Sequence, residues 1–304
     1  MATTTSITTT YAGEKLQGFI SAALLSANTI ENGGVTVKPN VKFKAVIKSL
    51  ATGTLIADDT CDFTDSSSVT LAERILTPKT LQVNLQLCKE DFRSDWDAIS
   101  MGYSAFDSLP PSFADYLVAH VASKVAEEME TTIWSGGQFD GFTTLFAADG
   151  DVIDVAGTAI DATNVIAEMG KVVDAVPSAI YGKEDLKLYV SKNVMKAYVR
   201  ALGGFASNGL GAAGSDNKGT QWYDNGALSF DGVSVFMANG LADNKMVAAQ
   251  SSNLYFGTGV LSDLNQVKVL DMADLDGSQN VRVIARFTGG IQYGFGSEIV
   301  YYTA

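Results

Sequence analysis

The segment between Pro110-Pro111 and Gly136-Gly137 constrains the fold most. Phe113, Leu117, Val121, Val125, Met129 and Ile133 recur every four residues, the spacing that gathers apolar side chains on one side of an α-helix. Ser112 offers an N-cap, Asp115 stands three residues on, close to a capping box, and the glycine pair is a stop signal. The predicted helix, 112–134, is roughly 33 Å long at 1.5 Å per residue. Such a helix is a stiff beam with one apolar stripe, and the remaining elements must cover that stripe.

Ahead of the beam lie two segments with strict two-residue alternation. In 41–50, Val41, Phe43, Ala45 and Ile47 alternate with Lys42, Lys44, Val46 and Lys48. In 81–88, Leu81, Val83, Leu85 and Leu87 alternate with Gln82, Asn84, Gln86 and Cys88. Period two marks strands with one buried face. The simplest pairing joins the two segments into one long two-stranded arm. Its tip is then the polar stretch carrying Asp58, Asp59, Asp62 and Asp65. A lone hairpin is marginal in water, so this arm needs a surface to lie on. Within one hairpin Lys42, Lys44 and Lys48 are separated from the acidic tip by many residues at roughly 3.3 Å each. They meet it only if the arm of one subunit crosses another. These seven residues are the candidate intersubunit contacts.

After the beam, periodicity predicts a helix over 162–176, a strand over 186–190, and a helix opened by Ser191 with Val194, Met195, Tyr198, Val199 and Leu202 on one side. Residues 203–220 are mostly Gly, Ala, Ser and Asn and read as a long mobile loop. Strands are expected at 233–238, 245–249, 253–256, 267–271, 281–287 and 290–302, with turns at Asp231-Gly232, Asn239-Gly240 and Asp276-Gly277. The fold class is α+β. At the other end, residues 1–10 read as a flexible arm. Leu16, Phe19, Ile20, Ala23 and Leu24 give 12–28 the pattern of a short amphipathic helix.

Composition excludes several functions. The net charge is -13, and no dense Lys/Arg cluster exists to neutralise phosphates, so sequence-specific nucleic-acid binding is not expected. A passive wall around DNA remains compatible. No run reaches the ~18 apolar residues of a membrane span. The start of the chain lacks the basic region of a signal peptide, so the protein is expected to be made in the cytoplasm. Cys61 and Cys88 either pair or stay free; free thiols are the reading adopted.

Sites of chemistry are poorly supported. Gly209-Leu210-Gly211-Ala212-Ala213-Gly214 matches G-x-G-x-x-G, but a helix precedes it where a dinucleotide fold needs a strand. Asp274-Leu275-Asp276-Gly277 resembles a calcium loop, yet Met272 stands where an acid is required, so a hairpin turn is the reading. The single histidine, His120, reads as a partly buried structural residue. Glu127 and Glu130 share a helix side and read as a solvated face rather than a catalytic pair. No catalytic residue, cofactor or metal is expected, and the chain is read as a structural protein rather than an enzyme.

The order of parts resembles a known family. It runs arm, long two-stranded loop, beam helix, α+β module with a glycine-rich loop, and closing strands. Local segments agree. Glu127 to Gly137 ends the beam with small residues, and Phe139-Asp140-Gly141-Phe142 looks like the turn that follows it. Leu188-Tyr189-Val190-Ser191-Lys192-Asn193 resembles a strand leading into a capped helix, without the usual proline. Phe230-Asp231-Gly232-Val233-Ser234-Val235 and Leu254-Tyr255-Phe256-Gly257-Thr258 resemble the family's strand pair and its aliphatic-Phe-Gly-Asp turn. The family is that of the major capsid proteins of tailed bacteriophages, with the HK97-type fold.

The resemblance implies an N-terminal arm at 1–34, an extended hairpin E-loop at 35–90, and a P-domain at 91–157 with its spine helix at 112–134. It implies an A-domain at 158–265 and closing P-domain strands at 266–304. It also implies self-assembly into hexamers and pentamers of an icosahedral shell around double-stranded DNA, inside a virion made in a bacterial host. Scaffold, portal and decoration proteins are the possible further partners. Two rivals stand beside it: an encapsulin-type nanocompartment shell, and a β-rich tail or adhesin protein without a long beam helix.

Overall fold

The computed structural model describes residues 28–56, 58–59, 61, 68–88, 111–202, 228–259, 268–273 and 277–304. The expectations for the helix at 12–28, for Asp62 and Asp65, for the loop at 203–220 with its glycine motif, and for Asp274 and Asp276 fall outside those residues.

In chain order the elements are α1 (Asn28–Glu31), β1 (Thr36–Lys38), β2 (Ala45–Thr52), β3 (Val69–Leu76), β4 (Lys79–Cys88), α2 (Pro111–Ser135) and α3 (Phe142–Ala148). There follow β5 (Ile153–Ala156), α4 (Val165–Asp174), β6 (Leu186–Val190), α5 (Lys192–Leu202), β7 (Ser229–Phe230) and β8 (Val233–Met237). Last come β9 (Lys245–Gln250), β10 (Leu254–Gly257), β11 (Lys268–Asp271), β12 (Asn280–Tyr293) and β13 (Val300–Thr303).

The beam is α2, 25 residues long. Its first helical residue is Pro111, not a residue after Ser112; a proline suits that position because its missing N–H would have no partner there. Val121, Val125, Met129 and Ile133 are buried, as the four-residue spacing requires. Gly136 ends the helix at φ +87°, a conformation that side chains with a Cβ disfavour. The rival architecture without a long helix is excluded.

Two larger sheets share the work of burial. The six-stranded sheet runs β5-β13-β9-β6-β8-β7. Its central strands are apolar on both faces, and alternation sends successive residues into different cores. Leu188, Val190, Met246, Ala248, Val300 and Tyr302 pack with α4 and α5. Tyr189, Val247, Ala249 and Tyr301 face the opposite way, into the cluster built on α2 and α3. There Trp134 packs against Phe142 at 5.5 Å and Tyr189 at 5.1 Å between ring centres.

The other sheet is centred on β12, with β10, β11 and β4 against it and β1 beyond β10. Here the expected pairing is corrected. The strand at 81–88 does not pair with 41–50. It pairs antiparallel with β12 over its whole length, from Lys79 opposite Gly289 to Cys88 opposite Asn280. The reason lies in matched faces: Leu81, Val83, Leu85 and Leu87 stand opposite Phe287, Ala285, Val283 and Val281, and residues directly opposite share a face. That combined face covers the stripe of α2. The partner of β2 is β3, unforeseen in the sequence.

Three further placements differ from the expected grouping of strands. Gly289-Gly290 does not divide the strands at 281–287 and 290–302; β12 continues through it for 14 residues. A Cβ at Gly290 would lie 2.9 Å from the Pro78 Cα, so the glycine permits backbone contact where β3 turns into β4. Second, β13, grouped with the closing strands, pairs with β9 and β5 in the six-stranded sheet. Third, β10, grouped with the α+β module, joins β12 instead. The turn at Asp231-Gly232 forms as expected between β7 and β8, with φ +46° and +79°. Ser191 precedes α5 as foreseen, although its hydroxyl donates to the Asn193 side chain.

Candidate intersubunit surface

The hairpin β2–β3 is a two-stranded sheet by itself. Its two faces have opposite fates. On one, Ile47 and Leu76 are buried at the base with Val41, packed by Ala45 and Tyr255. On the other, Val46 stands opposite Ile75, Lys48 opposite Glu73, Leu50 opposite Leu71, and Thr52 opposite Val69. None of these side chains is covered. Leu71 is 74% exposed, Val69 59% and Leu50 57%. Beyond the strands Leu55 and Ile56 continue the apolar run, Ile56 at 91% exposure. Branched aliphatic side chains around a single Lys48–Glu73 rung thus make an exposed apolar patch on one face of the hairpin.

The arm is fastened at its base by a polar cluster. The Arg74 guanidinium pairs with the Asp149 carboxylate at 2.5 Å and lies 4.3 Å from the Tyr293 ring centre. The Tyr293 hydroxyl donates to the same carboxylate at 2.6 Å, and the Asp151 backbone N–H donates at 3.1 Å. Burial pushes the Asp149 carboxyl up, but the hydrogen bonds from Tyr293, Asp151 and Arg74 and the Arg74 charge outweigh it, leaving it below its ordinary value. Burial, and donation to Asp149, push the Tyr293 hydroxyl up. Gln292 adds a bond to the Ile75 carbonyl at 3.2 Å. These contacts fasten the base of the arm to β12 and to the segment after α3.

The sequence-derived contact residues fall as follows. Lys42, Lys44 and Lys48 are exposed at the root and on the outward face, and Asp58 and Asp59 are exposed toward the tip. Among the described residues no ion pair joins these lysines to Asp58 or Asp59. Lys48 is placed across from Glu73, a neighbour that the expected 41–50/81–88 pairing did not provide. The apolar ladder and Arg74 were missed. The signal was present in Val69, Leu71 and Ile75, which alternate with Thr70, Ala72 and Arg74, but the polar stretch before them masked it.

Elsewhere, Glu130 is not on a solvated face. It is buried, accepting from the Thr29 N–H at 3.0 Å and the Thr29 hydroxyl at 2.5 Å, while Trp134 Nε1 donates to that hydroxyl at 2.6 Å. This network ties α1 to the beam. Glu127 is exposed and pairs with Lys124 at 2.7 Å, and His120 is exposed rather than partly buried. Cys61 and Cys88 are free thiols. Among the described residues no His/Cys/Asp/Glu group could hold a metal ion, and no helix is long and apolar enough to cross a membrane.

No protein-family model and no curated protein matches the chain in sequence. Solved structures do match in shape. The capsid of the native GTA particle superposes with a TM-score of 0.59 at 16% identity, covering 99% of this chain and 94% of that one. The capsid of Myoviridae phage XM1 gives 0.57 at 12% identity, covering 91% and 92%. A virus-like particle from Pyrococcus furiosus gives 0.53 at 9% identity, covering 95% and 98%. The chain has the HK97-like capsid fold, in agreement with the resemblance read from its sequence.

Proposed function

We propose that this chain is the major capsid protein of a tailed phage, a structural subunit that closes into an icosahedral shell around double-stranded DNA. The observation that carries the reading is the outward face of β2–β3. It presents Val46, Leu50, Val69, Leu71 and Ile75 on an arm rooted in the body, and an isolated hairpin needs a surface beneath it. A second copy supplies that surface in hexamers and pentamers. Fully burying one such aliphatic side chain is worth about 1.5–3 kcal/mol, so a handful per subunit gives a shell a strong drive. Lys42, Lys44 and Lys48, with Asp58, Asp59, Asp62 and Asp65, add charge pairing across the same contact, each pair worth about 0–1 kcal/mol. The net charge of -13 fits a wall that encloses DNA without gripping it. Scaffold, portal and decoration proteins are the further partners of such a subunit, and the virion its location.

The test is expression of the full chain followed by size exclusion and negative-stain electron microscopy. Closed shells or capsomers are expected, and Leu50→Asp/Leu71→Asp should leave a folded, unassembled subunit. A wild-type protein that stays monomeric at high concentration in every salt refutes the reading. Shells that carry an enzyme cargo in place of DNA would identify the encapsulin-type alternative.

A further inference from the structure

Among the described residues, the outward face of β2–β3 is the one row of exposed aliphatic side chains. Outside the arm and its root, the large apolar side chains left exposed are Val37, Ile166, Tyr181, Leu202 and Phe295, each alone on its own strand, helix or loop. Beyond its base, the arm's other face carries only Ser49, Ala51, Thr70 and Ala72. The described body thus offers no apolar row to match the arm, whereas the arm of a second copy does. The order of the rungs is a second observation. Val46–Ile75 and Leu50–Leu71 flank Lys48–Glu73, and Thr52–Val69 follows. Across each rung the two side chains are of similar kind, except at Lys48–Glu73, where they are opposite in charge. These two stand directly opposite each other, yet among the described residues no ion pair closes between them within the chain.

We propose that the arm packs face to face against the same face of a second copy's arm, the two related by a two-fold axis that runs along the strands. The inference rests on the reading of the arm as a contact between copies, and it names what the arm meets. Packed sheets lie about 10 Å apart with their strands nearly aligned. An axis midway between the strands lays β2 of one copy over β3 of the other, rung by rung. Lys48 then faces Glu73 of the second copy, twice over by symmetry. Leu50 faces Leu71 of the second copy and Val46 faces Ile75 of the second copy in the same way. An axis across the strands lays β2 over β2 in reverse. It sets Lys48 against Lys48 and Glu73 against Glu73, or, when slid along, buries each charge against an uncharged side chain, which is costly. A self-complementary surface is what a two-fold contact requires. Its size sets its strength. Four rungs supply far fewer residues than the roughly 20–30 a side of a standard interface. The contact is therefore weak between free subunits and adds to others where subunits already stand side by side.

The experiment mixes two charge-reversed forms of the full chain, Lys48→Glu and Glu73→Lys. Each alone sets like charges against each other across the contact. Its self-association in low salt, followed by sedimentation velocity over a concentration series, should fall about tenfold. Mixed one to one, the first supplies only acids and the second only bases, and association should return to within about threefold of the unaltered chain. Each chain in the mixture keeps the like charges of its own rung, so recovery reports contact between copies and not repair of the hairpin. The gain should vanish at high salt. Lys196→Glu mixed with Glu184→Lys, both exposed and off the arm, carries the same net charges and should show no gain. Amide exchange in β6 checks that every variant is folded. Single variants that associate like the unaltered chain, no recovery on mixing, or an equal gain in the control pair would each overturn the proposal. The capsid assignment stands in those cases as long as the unaltered chain assembles; an unaltered chain that never associates overturns both.

Discussion

Arg74→Met is the substitution that tests how the arm is held. It keeps an unbranched apolar stem near the Tyr293 ring and removes the charge together with the hydrogen bond to Asp149. The Arg74 side chain is 28% exposed and the Asp149 side chain 18%, so water screens the pair only partly. A hydrogen bond to a charged group contributes about 1.5–3 kcal/mol, and the cation over the ring about 0.5–1 kcal/mol. Some of this is offset by desolvation that the variant no longer suffers. A net loss of about 2 kcal/mol at the root raises the population of the opened arm roughly thirtyfold, since 1.4 kcal/mol is tenfold. The assay is amide exchange of 45–52 and 69–76 at neutral pH, with β6 and β9 as internal controls. The arm amides should exchange some tens of times faster while the controls hold. Acidity supplies a second arm of the test. Asp149 has a folded-state pKa below its unfolded value. Its contribution is therefore complete above the ordinary carboxylate range, near 4, and is lost as pH falls through the lowered value. The unaltered arm should loosen below about pH 4, and Arg74→Met should show a weaker acid dependence. If the variant's arm exchanges like the wild type's and its acid response is unchanged, the root is held by apolar packing alone.

Other outcomes follow from the same geometry. Thr29→Val should destabilise by about 1–3 kcal/mol in a thermal melt, because it takes hydroxyl partners from buried Glu130 and Trp134 together. Gly290→Val should cost more than about 1 kcal/mol, since its Cβ meets the backbone at Thr77 and Pro78, which cannot give way as a side chain would. Ile133→Ala, at a fully buried site on the beam, should cost about 2–5 kcal/mol in a denaturant titration. Reversal of Asp58 and Asp59 to lysine should leave the melt unchanged and weaken assembly at low salt, with the difference vanishing at high salt; equal assembly at low salt would remove those charges from the contact.

Periodicity alone determined the elements whose environment is uniform along their length. The spacing of Val121, Val125, Met129 and Ile133 announces a helix with one buried side whatever covers it, and Gly136 marks its end because only the backbone need be considered. The α+β order, the turn at Asp231-Gly232 and the strand at 186–190 were legible for the same local reason. Alternation in 41–50 and 81–88 likewise revealed two strands, each with one apolar face. It carries no information on partners, since any two alternating strands match in principle. Tertiary packing chose: Leu81 to Leu87 found Phe287 to Val281, because together they roof the beam, and β2 was left to β3. The burial of Glu130 was equally hidden, for its hydrogen-bond partner is Thr29, and the distance of 101 residues to it is invisible to any local pattern. The exposed ladder on the arm lies between these cases. Its residues are apolar in the sequence, but that they stay uncovered in the subunit is a fact of the fold, because β3 pairs with β2 alone and no other element among the described residues lies over that face.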